Sequence, residues 1–228
     1  MSNFFYLELD TTPVSNPTIT IDGGATYATN QLVTISIGTS DSSTVGYSML
    51  LWGSVDSSYD VNVQSSEEES KWISFNNSKQ IKLSNGDGQK TVYLKIRDDV
   101  HNASSQVSDS INLDTSVATI SVTNPDKAKI SEQPTKNIVS FTFTSDKAFV
   151  EYKVKLVSAT TSLENAGDTI PTTAGSTNTS GIGNFPSGTP ISVQIHGTDL
   201  KTVAGGDRPN NPYVIKVFVK DASGKWSA

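Results

Sequence analysis

The chain contains no cysteine among its 228 residues. This absence excludes structural disulfides, thiol catalysis and zinc or iron–sulfur sites that depend on cysteine ligands. Long apolar runs are missing as well, because no stretch approaches the roughly 18 apolar residues of a membrane-spanning helix. The start of the chain, Met1–Tyr6, has neither a basic region nor a long apolar core, so we expect no secretion signal and no membrane partner.

Basic residues are in short supply in the first half of the chain. The formal net charge is −6, and residues 1–113 carry 13 acidic against 6 basic side chains. Residues 114–228 are close to balanced, with 10 acidic and 11 basic side chains. Binding nucleic acid through its phosphates requires a basic surface, so we expect no nucleic-acid partner.

Histidine is rare, with only two in the chain. His101 lies in a predicted turn, and His196 follows a predicted strand that ends at Ile195. A Ser-His-Asp arrangement can be imagined around either one, but Ser and Asp are so abundant that their presence is uninformative. We therefore expect a solvent-exposed histidine in the first turn, no catalytic residue and no enzyme activity.

The chain is rich in short alternating runs of apolar and polar residues, which are typical of half-buried strands. Turn-forming clusters such as Asp22-Gly23-Gly24 and Asn85-Gly86-Asp87-Gly88 separate these runs. In the first half the predicted strands are Phe5–Leu9, Thr18–Ile21, Leu32–Ile37, Gly46–Leu51, Trp72–Phe75, Lys79–Leu83 and Thr91–Ile96. Short strands at this spacing indicate an all-β chain of immunoglobulin-like β-sandwiches.

The second half repeats this plan with longer connections. Its main predicted strands are Thr119–Val122, Ile138–Phe143, Phe149–Leu156, Ile191–Ile195 and Val214–Val219. A polar stretch lies between Val157 and Pro190, and a loop of that length in a compact domain usually has a function or is mobile. We expect Thr172–Gly188 and Gly197–Pro212 to form polar loops at one end of the second sandwich.

One short sequence occurs twice and indicates a duplication. Tyr6-Leu7-Glu8-Leu9-Asp10-Thr11-Thr12 is restated by Ser110-Ile111-Asn112-Leu113-Asp114-Thr115-Ser116, about one hundred residues later, which is the length of one sandwich domain. In each copy a β-like run follows shortly afterwards. We therefore predict two tandem immunoglobulin-like domains, residues 1–113 and residues 114–228.

These motifs resemble a known group. Lys90-Thr91-Val92-Tyr93, Arg97–Val100, Asn102–Ser104 and Leu113-Asp114-Thr115 are similar to bacterial and phage immunoglobulin-like repeats, although His101 stands where those repeats usually have Gly. In the second half, Ile170–Ser180, Gly197–Leu200 and Ile215–Trp226 resemble a companion domain of virion proteins of tailed phages. Ser223 and Lys225 depart from the usual closing phrase of that domain.

The resemblance implies a non-enzymatic structural protein of a tailed-phage virion, located in the virion and most simply a capsid decoration protein. Its expected partners are other virion proteins, capsid or tail subunits, and a homo-oligomer is an open alternative. The first domain is the expected anchor, and the second domain is expected to project. The competing hypothesis is an adhesion module of the tail or baseplate that binds host-surface glycans through Thr172–Gly188 and Gly197–Pro212. No cofactor is implied.

A calcium site is a further alternative. Asp98, Asp99, Asp114 and Asp146 could meet where the two domains join, and calcium prefers hard oxygen ligands of this kind. Their spacing matches no calcium-loop pattern, and aspartate is also common simply as a turn former. Both interpretations stay open at the level of the sequence.

Three aromatic residues, Phe4, Phe5 and Tyr6, precede the first repeated motif. Leaving several large apolar side chains together in water is unfavourable. We expect them to cap the bottom of the first sandwich. The alternative is that they bind a partner subunit.

Overall fold

A computed structural model describes residues 5–204 and 214–228. The chain divides into two compact units, Met1–Thr115 and Ser116–Ala228. Strands are the main regular elements of both, and both are β-sandwiches of the immunoglobulin-like type.

Unit 1 consists of two sheets that face each other. Its strands in chain order are β1 (Thr18–Ile21), β2 (Tyr27–Ala28), β3 (Leu32–Gly38), β4 (Ser48–Gly53), β5 (Ile73–Ser74), β6 (Ser78–Lys82), β7 (Gly88–Arg97) and β8 (Val107–Leu113). One sheet has the order β1-β3-β6 and the other β2-β8-β7-β4-β5. Strand β2 runs parallel to β8, whereas β8 is antiparallel to β7 along the whole of its length.

The core of unit 1 follows from the alternation in its strands. Val33, Ile35 and Ile37 are buried in β3, while the residues between them are exposed, because successive side chains of a strand point to opposite faces. Val92, Leu94 and Ile96 do the same in β7, and all three are fully buried. These inward faces meet to form one hydrophobic cluster between the two sheets.

Unit 2 also consists of two sheets, but its edge strands differ from those of unit 1. Its elements are β9 (Ile120–Val122), β10 (Ile138–Ser145), β11 (Phe149–Val157), β12 (Asp168–Thr169), β13 (Ser180–Phe185), β14 (Ile191–His196), α1 (Gly197–Ala204) and β15 (Val214–Lys220). One sheet has the order β14-β10-β9. In the other, β11 pairs with β12 and β13 and also with β15.

The core of unit 2 is more aromatic than that of unit 1. Phe143, Phe149 and Tyr152 lie with ring centroids 5.3 to 6.3 Å apart, and Phe185 stacks on Phe149 at 4.8 Å. Aromatic pairs at such distances add roughly 0.5–1.5 kcal/mol beyond the burial of their area. Because these rings come from β10, β11 and β13, they hold the two sheets of unit 2 together.

The structure confirms most of the predicted strands and corrects three regions. Phe5–Leu9 forms no strand. The polar stretch after Val157 contains β12 and β13, which were expected to be loop, and the expected loop after His196 begins with α1. The remaining part of that connection, residues 205–212, lies outside the described residues.

Candidate functional site

Asp98, one of the acidic residues selected from the sequence, accepts several hydrogen bonds. It follows β7 directly and is 3% exposed. Its Oδ1 accepts hydrogen bonds from the backbone N–H of Val100 at 3.0 Å and of Asn102 at 2.8 Å, and its Oδ2 accepts one from Asn102 Nδ2 at 2.9 Å. The carboxylate therefore holds a tight turn, which we call the first corner (Asp98–Ser104).

The same corner is built again in unit 2. There Asp221 follows β15, and its Oδ1 accepts hydrogen bonds from Lys225 N at 3.0 Å and from Ser223 Oγ at 2.6 Å. At the end of each corner, a serine forms hydrogen bonds with the strand that precedes the corner. Ser104 bonds Ile96 through its backbone N–H and its hydroxyl, and Ser227 does the same to Val219. We call Asp221–Ser227 the second corner.

His101 lies in the first corner and is exposed, as predicted. Its backbone adopts a φ of 72°, in the left-handed region that favours glycine. The matching residue of the second corner is Gly224, with a φ of 90°. His101 thus occupies a position of the turn at which the backbone is left-handed.

His196 is half-buried at the end of β14, and a polar group lies beside each of its ring nitrogens. Its Nε2 lies 2.6 Å from Asn137 Nδ2, and its Nδ1 accepts a hydrogen bond from the backbone N–H of Thr198 at 3.2 Å. Its backbone N–H donates to Ser176 Oγ at 2.8 Å. These contacts fix the start of α1 against neighbouring loops.

Asp199 is the buried carboxylate that sequence reasoning missed. It is fully buried in the first turn of α1, where Oδ1 accepts hydrogen bonds from Thr173 Oγ1 at 2.9 Å and Ala174 N at 2.8 Å, and Oδ2 accepts one from Ser176 N at 2.9 Å. Burial raises the pKa of Asp199, but the bonds from Ser176, Ala174 and Thr173 outweigh it and leave the pKa lowered. The Gly197-Thr198-Asp199 sequence, with an acid at the start of a helix, is the signal that could have indicated it.

The other three aspartates of the predicted calcium site, Asp99, Asp114 and Asp146, each have a different local environment. Asp99 is exposed in the first corner, and Asp146 accepts a hydrogen bond from Thr119 N at 2.7 Å within unit 2. That bond is the main reason the pKa of Asp146 is lowered. Asp114 is half-buried just after β8, with its backbone N–H bonded to Ala28 O. In the described parts of the chain no three His, Asp or Glu side chains are grouped to hold a metal, and calcium at the junction stays a prediction.

The aromatic start of the chain does not cap the first sandwich. Phe5 is 82% exposed and Tyr6 is 94% exposed, so the capping hypothesis is wrong for both. Phe4 lies outside the described residues. The exposure continues along the segment, since Leu7 and Leu9 are 85% and 86% exposed. A run of large exposed apolar side chains of this kind favours binding to another surface.

The polar stretch Thr172–Gly188 forms one wall of a shallow depression on unit 2. The depression has a volume of about 430 Å³. It is lined by Glu151, Tyr152, Lys153, Thr169, Ser180, Gly181 and Ile182. Ile182 is 87% exposed, so the rim presents an apolar side chain to solvent beside charged groups of β11.

Comparisons with known proteins add little to this geometry. No protein-family model matches the chain, and no curated protein does. Among solved structures, chitinase ChiA74 from Bacillus thuringiensis is similar at 17% identity and a TM-score of 0.30. That alignment covers 92% of this chain and 30% of the chitinase chain, so the protein spans less than a third of that enzyme's length.

Proposed function

We propose that the protein is a non-enzymatic structural component of a tailed-phage virion, where it decorates the capsid with immunoglobulin-like domains. This proposal rests on the hydrogen bonds that the buried carboxylates accept in both units. Asp98, Asp221 and Asp199 are buried and bond backbone or hydroxyl donors of the same unit. These side chains therefore stabilise the fold. We infer that the function lies on the outer surfaces of the two units.

Further support comes from the tandem arrangement and from the sequence motifs. Strand β8 of unit 1 ends at Leu113 and strand β9 of unit 2 begins at Ile120, so a short connection joins two similar sandwiches. The motifs around Lys90–Tyr93, Leu113–Thr115 and Ile215–Trp226 resemble those of phage immunoglobulin-like proteins. Within the described residues no helix is long and apolar enough to cross a membrane.

Cross-linking mass spectrometry on intact purified particles tests this proposal. A lysine-reactive reagent should join the protein to a capsid subunit, and the copy number should approach the number of capsid binding positions. The cross-links should concentrate on lysines of unit 1, such as Lys71 and Lys95, if unit 1 is the anchor. Absence of the protein from purified particles would refute the proposal, and cross-links to tail proteins alone would refute capsid decoration.

The depression on unit 2 favours one alternative function, the binding of host-surface glycans. It combines charged and hydroxyl groups with an exposed apolar rim at Ile182, and such a mixture can bind a sugar. A glycan array probed with the full chain should then show selective binding that is lost in Ile182→Asp. Val45→Asp is a matched control, because Val45 is 84% exposed in unit 1, outside this depression. Binding that survives Ile182→Asp would exclude the depression as the site.

A further inference from the structure

The turn between β6 and β7 contains the one Asn-Gly pair of the sequence, Asn85-Gly86. We call this segment the β6–β7 turn (Ser84–Asp87), and both residues of the pair are exposed in it. Gly86 has a φ of 83°, and no atom of the described residues lies within 4 Å of a Cβ placed on it. Because glycine has no Cβ, the backbone nitrogen of Gly86 is open to the side chain that precedes it.

Gln31 holds the side chain of Asn85 in this turn. Its Nε2 donates hydrogen bonds to Asn85 Oδ1 at 2.7 Å and to the backbone carbonyl of Leu83 at 3.2 Å. The backbone N–H of Leu83 donates to Gln31 O at 2.8 Å, which fixes Gln31 beside the turn. A donor aimed at a carbonyl oxygen stabilises the negative charge that develops there when a nucleophile attacks the carbon. The amide of Asn85 therefore combines an adjacent backbone nitrogen with a donor to its oxygen.

The two nitrogen atoms of this pair make no hydrogen bonds to other described residues. None of those residues accepts a hydrogen bond from the backbone N–H of Gly86 or from Asn85 Nδ2. Asn85 is held instead through its backbone carbonyl, which accepts a hydrogen bond from Lys90 Nζ at 3.0 Å. Both nitrogen atoms can therefore move without breaking a hydrogen bond to the described part of the chain.

We propose that Asn85 is a site of self-modification, at which the backbone nitrogen of Gly86 attacks the side-chain amide of Asn85 while Gln31 Nε2 donates to the amide oxygen. A bond forms between Gly86 N and Asn85 Cγ, and the bond between Cγ and Nδ2 breaks. Nδ2 leaves as ammonia and carries away the proton of the Gly86 nitrogen. Water then opens the ring, at Cγ to give aspartate or at the main-chain carbonyl carbon to give isoaspartate. Each conversion consumes one water molecule, releases one ammonia molecule and involves no change of oxidation state.

The isoaspartate product should loosen a contact at the end of unit 1. Asp87 Oδ1 accepts hydrogen bonds from the backbone N–H of Thr115 at 2.8 Å and from its hydroxyl at 2.7 Å. Isoaspartate at position 85 adds one carbon atom to the backbone and displaces Asp87, so we expect these two bonds to be lost. The backbone N–H of Asp114 donates to Ala28 O at 2.9 Å, away from the turn, and this bond should persist.

Peptide mass spectrometry of the full chain, incubated in mildly alkaline buffer, tests the modification. Asn85 should gain the mass that corresponds to replacement of NH by O, and both aspartate and isoaspartate should form. Asn62 is an internal control, because it is also exposed but precedes Val63, whose branched side chain shields the backbone nitrogen. Gly86→Ala should slow the conversion by placing a methyl group beside the attacking nitrogen. Conversion of Asn85 no faster than that of Asn62 would overturn the proposal.

The role of Gln31 has its own test. Gln31→Met keeps the length of the side chain but removes the donor to Asn85 Oδ1. The folded variant should convert roughly two- to tenfold more slowly, the change in rate expected for the loss of one hydrogen bond. In concentrated urea the variant and the natural protein should convert at the same rate, because the bond is absent from both. An unchanged or faster rate in the folded variant would exclude Gln31 from the reaction.

Amide hydrogen exchange measured by NMR tests the structural consequence. In protein converted to isoaspartate, the Thr115 amide should exchange faster than in fresh protein, while the Asp114 amide keeps its rate. Asn85→Asp introduces the charge without lengthening the backbone, so it should leave both rates unchanged. Equal protection of Thr115 in the isoaspartate form and in fresh protein would contradict the expected loosening. None of these results bears on whether the protein is present in virus particles, so the two proposals fail separately.

Discussion

At the scale of single residues, the first corner contains a local conflict between side chain and backbone. His101 has a φ of 72°, a conformation that disfavours residues with a Cβ, and Gly224 takes the matching place in the second corner. We expect His101→Gly to raise the free energy of unfolding of unit 1 by about 0.5–1 kcal/mol, because it removes this strain. Thermal or urea unfolding measures the change.

The reciprocal substitution is the control for this prediction. No atom of the described residues lies within 4 Å of a Cβ placed on Gly224, so Gly224→Ala tests backbone conformation without a steric clash. It should lower the stability of unit 2 by about 1 kcal/mol. If both substitutions left stability unchanged, the left-handed conformation of the two corners would be contradicted.

We also expect the side chain of Asn102 to stabilise the first corner. Its side-chain amide donates to Asp98 Oδ2 at 2.9 Å, and Asp98 is 3% exposed. Asn102→Ala leaves a buried carboxylate oxygen without that donor, which we expect to cost about 1–3 kcal/mol in chemical denaturation. Asp221 Oδ2 is buried in unit 2 and has no hydrogen-bond partner among the described residues, and Lys225 stands in place of the asparagine there. Lys225→Ala should therefore cost less than Asn102→Ala, and the opposite order would contradict this account of the corners.

At the scale of elements, α1 depends on one buried carboxylate. The pKa of Asp199 is lowered from 3.8 because its hydrogen bonds outweigh its burial. A lowered pKa in the folded state contributes stability above the pKa of the unfolded chain, and this contribution is lost as the pH falls through the folded value. Asp199→Asn should lower the free energy of unfolding by about 1–3 kcal/mol at pH 7.

The pH dependence provides the check. The difference in unfolding free energy between the natural protein and Asp199→Asn should shrink as the pH falls below 3.8, because protonation removes the charge that the variant lacks. Calorimetric unfolding from pH 7 to pH 2.5 measures this difference. A deficit that stays constant over the whole range would show that the charge of Asp199 does not stabilise α1.

The elements also show what the sequence could predict. Strands such as β3 and β7 were predicted because Val33, Ile35 and Ile37, or Val92, Leu94 and Ile96, alternate with polar residues. Strand β13 was not, because Ser180–Phe185 exposes most of its side chains and its pairing with β11 determines it. A period-two signal records burial on one face, so strands held by backbone pairing alone give little signal.

The segment Phe5–Leu9 shows the opposite failure. Its alternation is as regular as that of β8, and it was predicted to be a strand for that reason, yet it forms none in its own chain. A strand requires a partner edge, which a local pattern cannot supply.

At the scale of the whole molecule, the protein contains two similar sandwiches that differ in their edge strands. The repeated corners, with Asp98 and Ser104 in one unit and Asp221 and Ser227 in the other, show how closely the two units correspond. The sequence repeat predicted this duplication. It could not predict that β8 covers Ile21 in unit 1 while Val122 stays half exposed in unit 2, because burial depends on which strand lies beside each residue.

The proposed role in a virus particle is tested most directly by quantitative mass spectrometry of purified particles after a high-salt wash. Capsid decoration predicts that the protein stays with the washed particles at a copy number close to the number of capsid binding positions. A protein that is lost from the washed particles, or that is present only at the copy number of a tail component, would contradict the proposal.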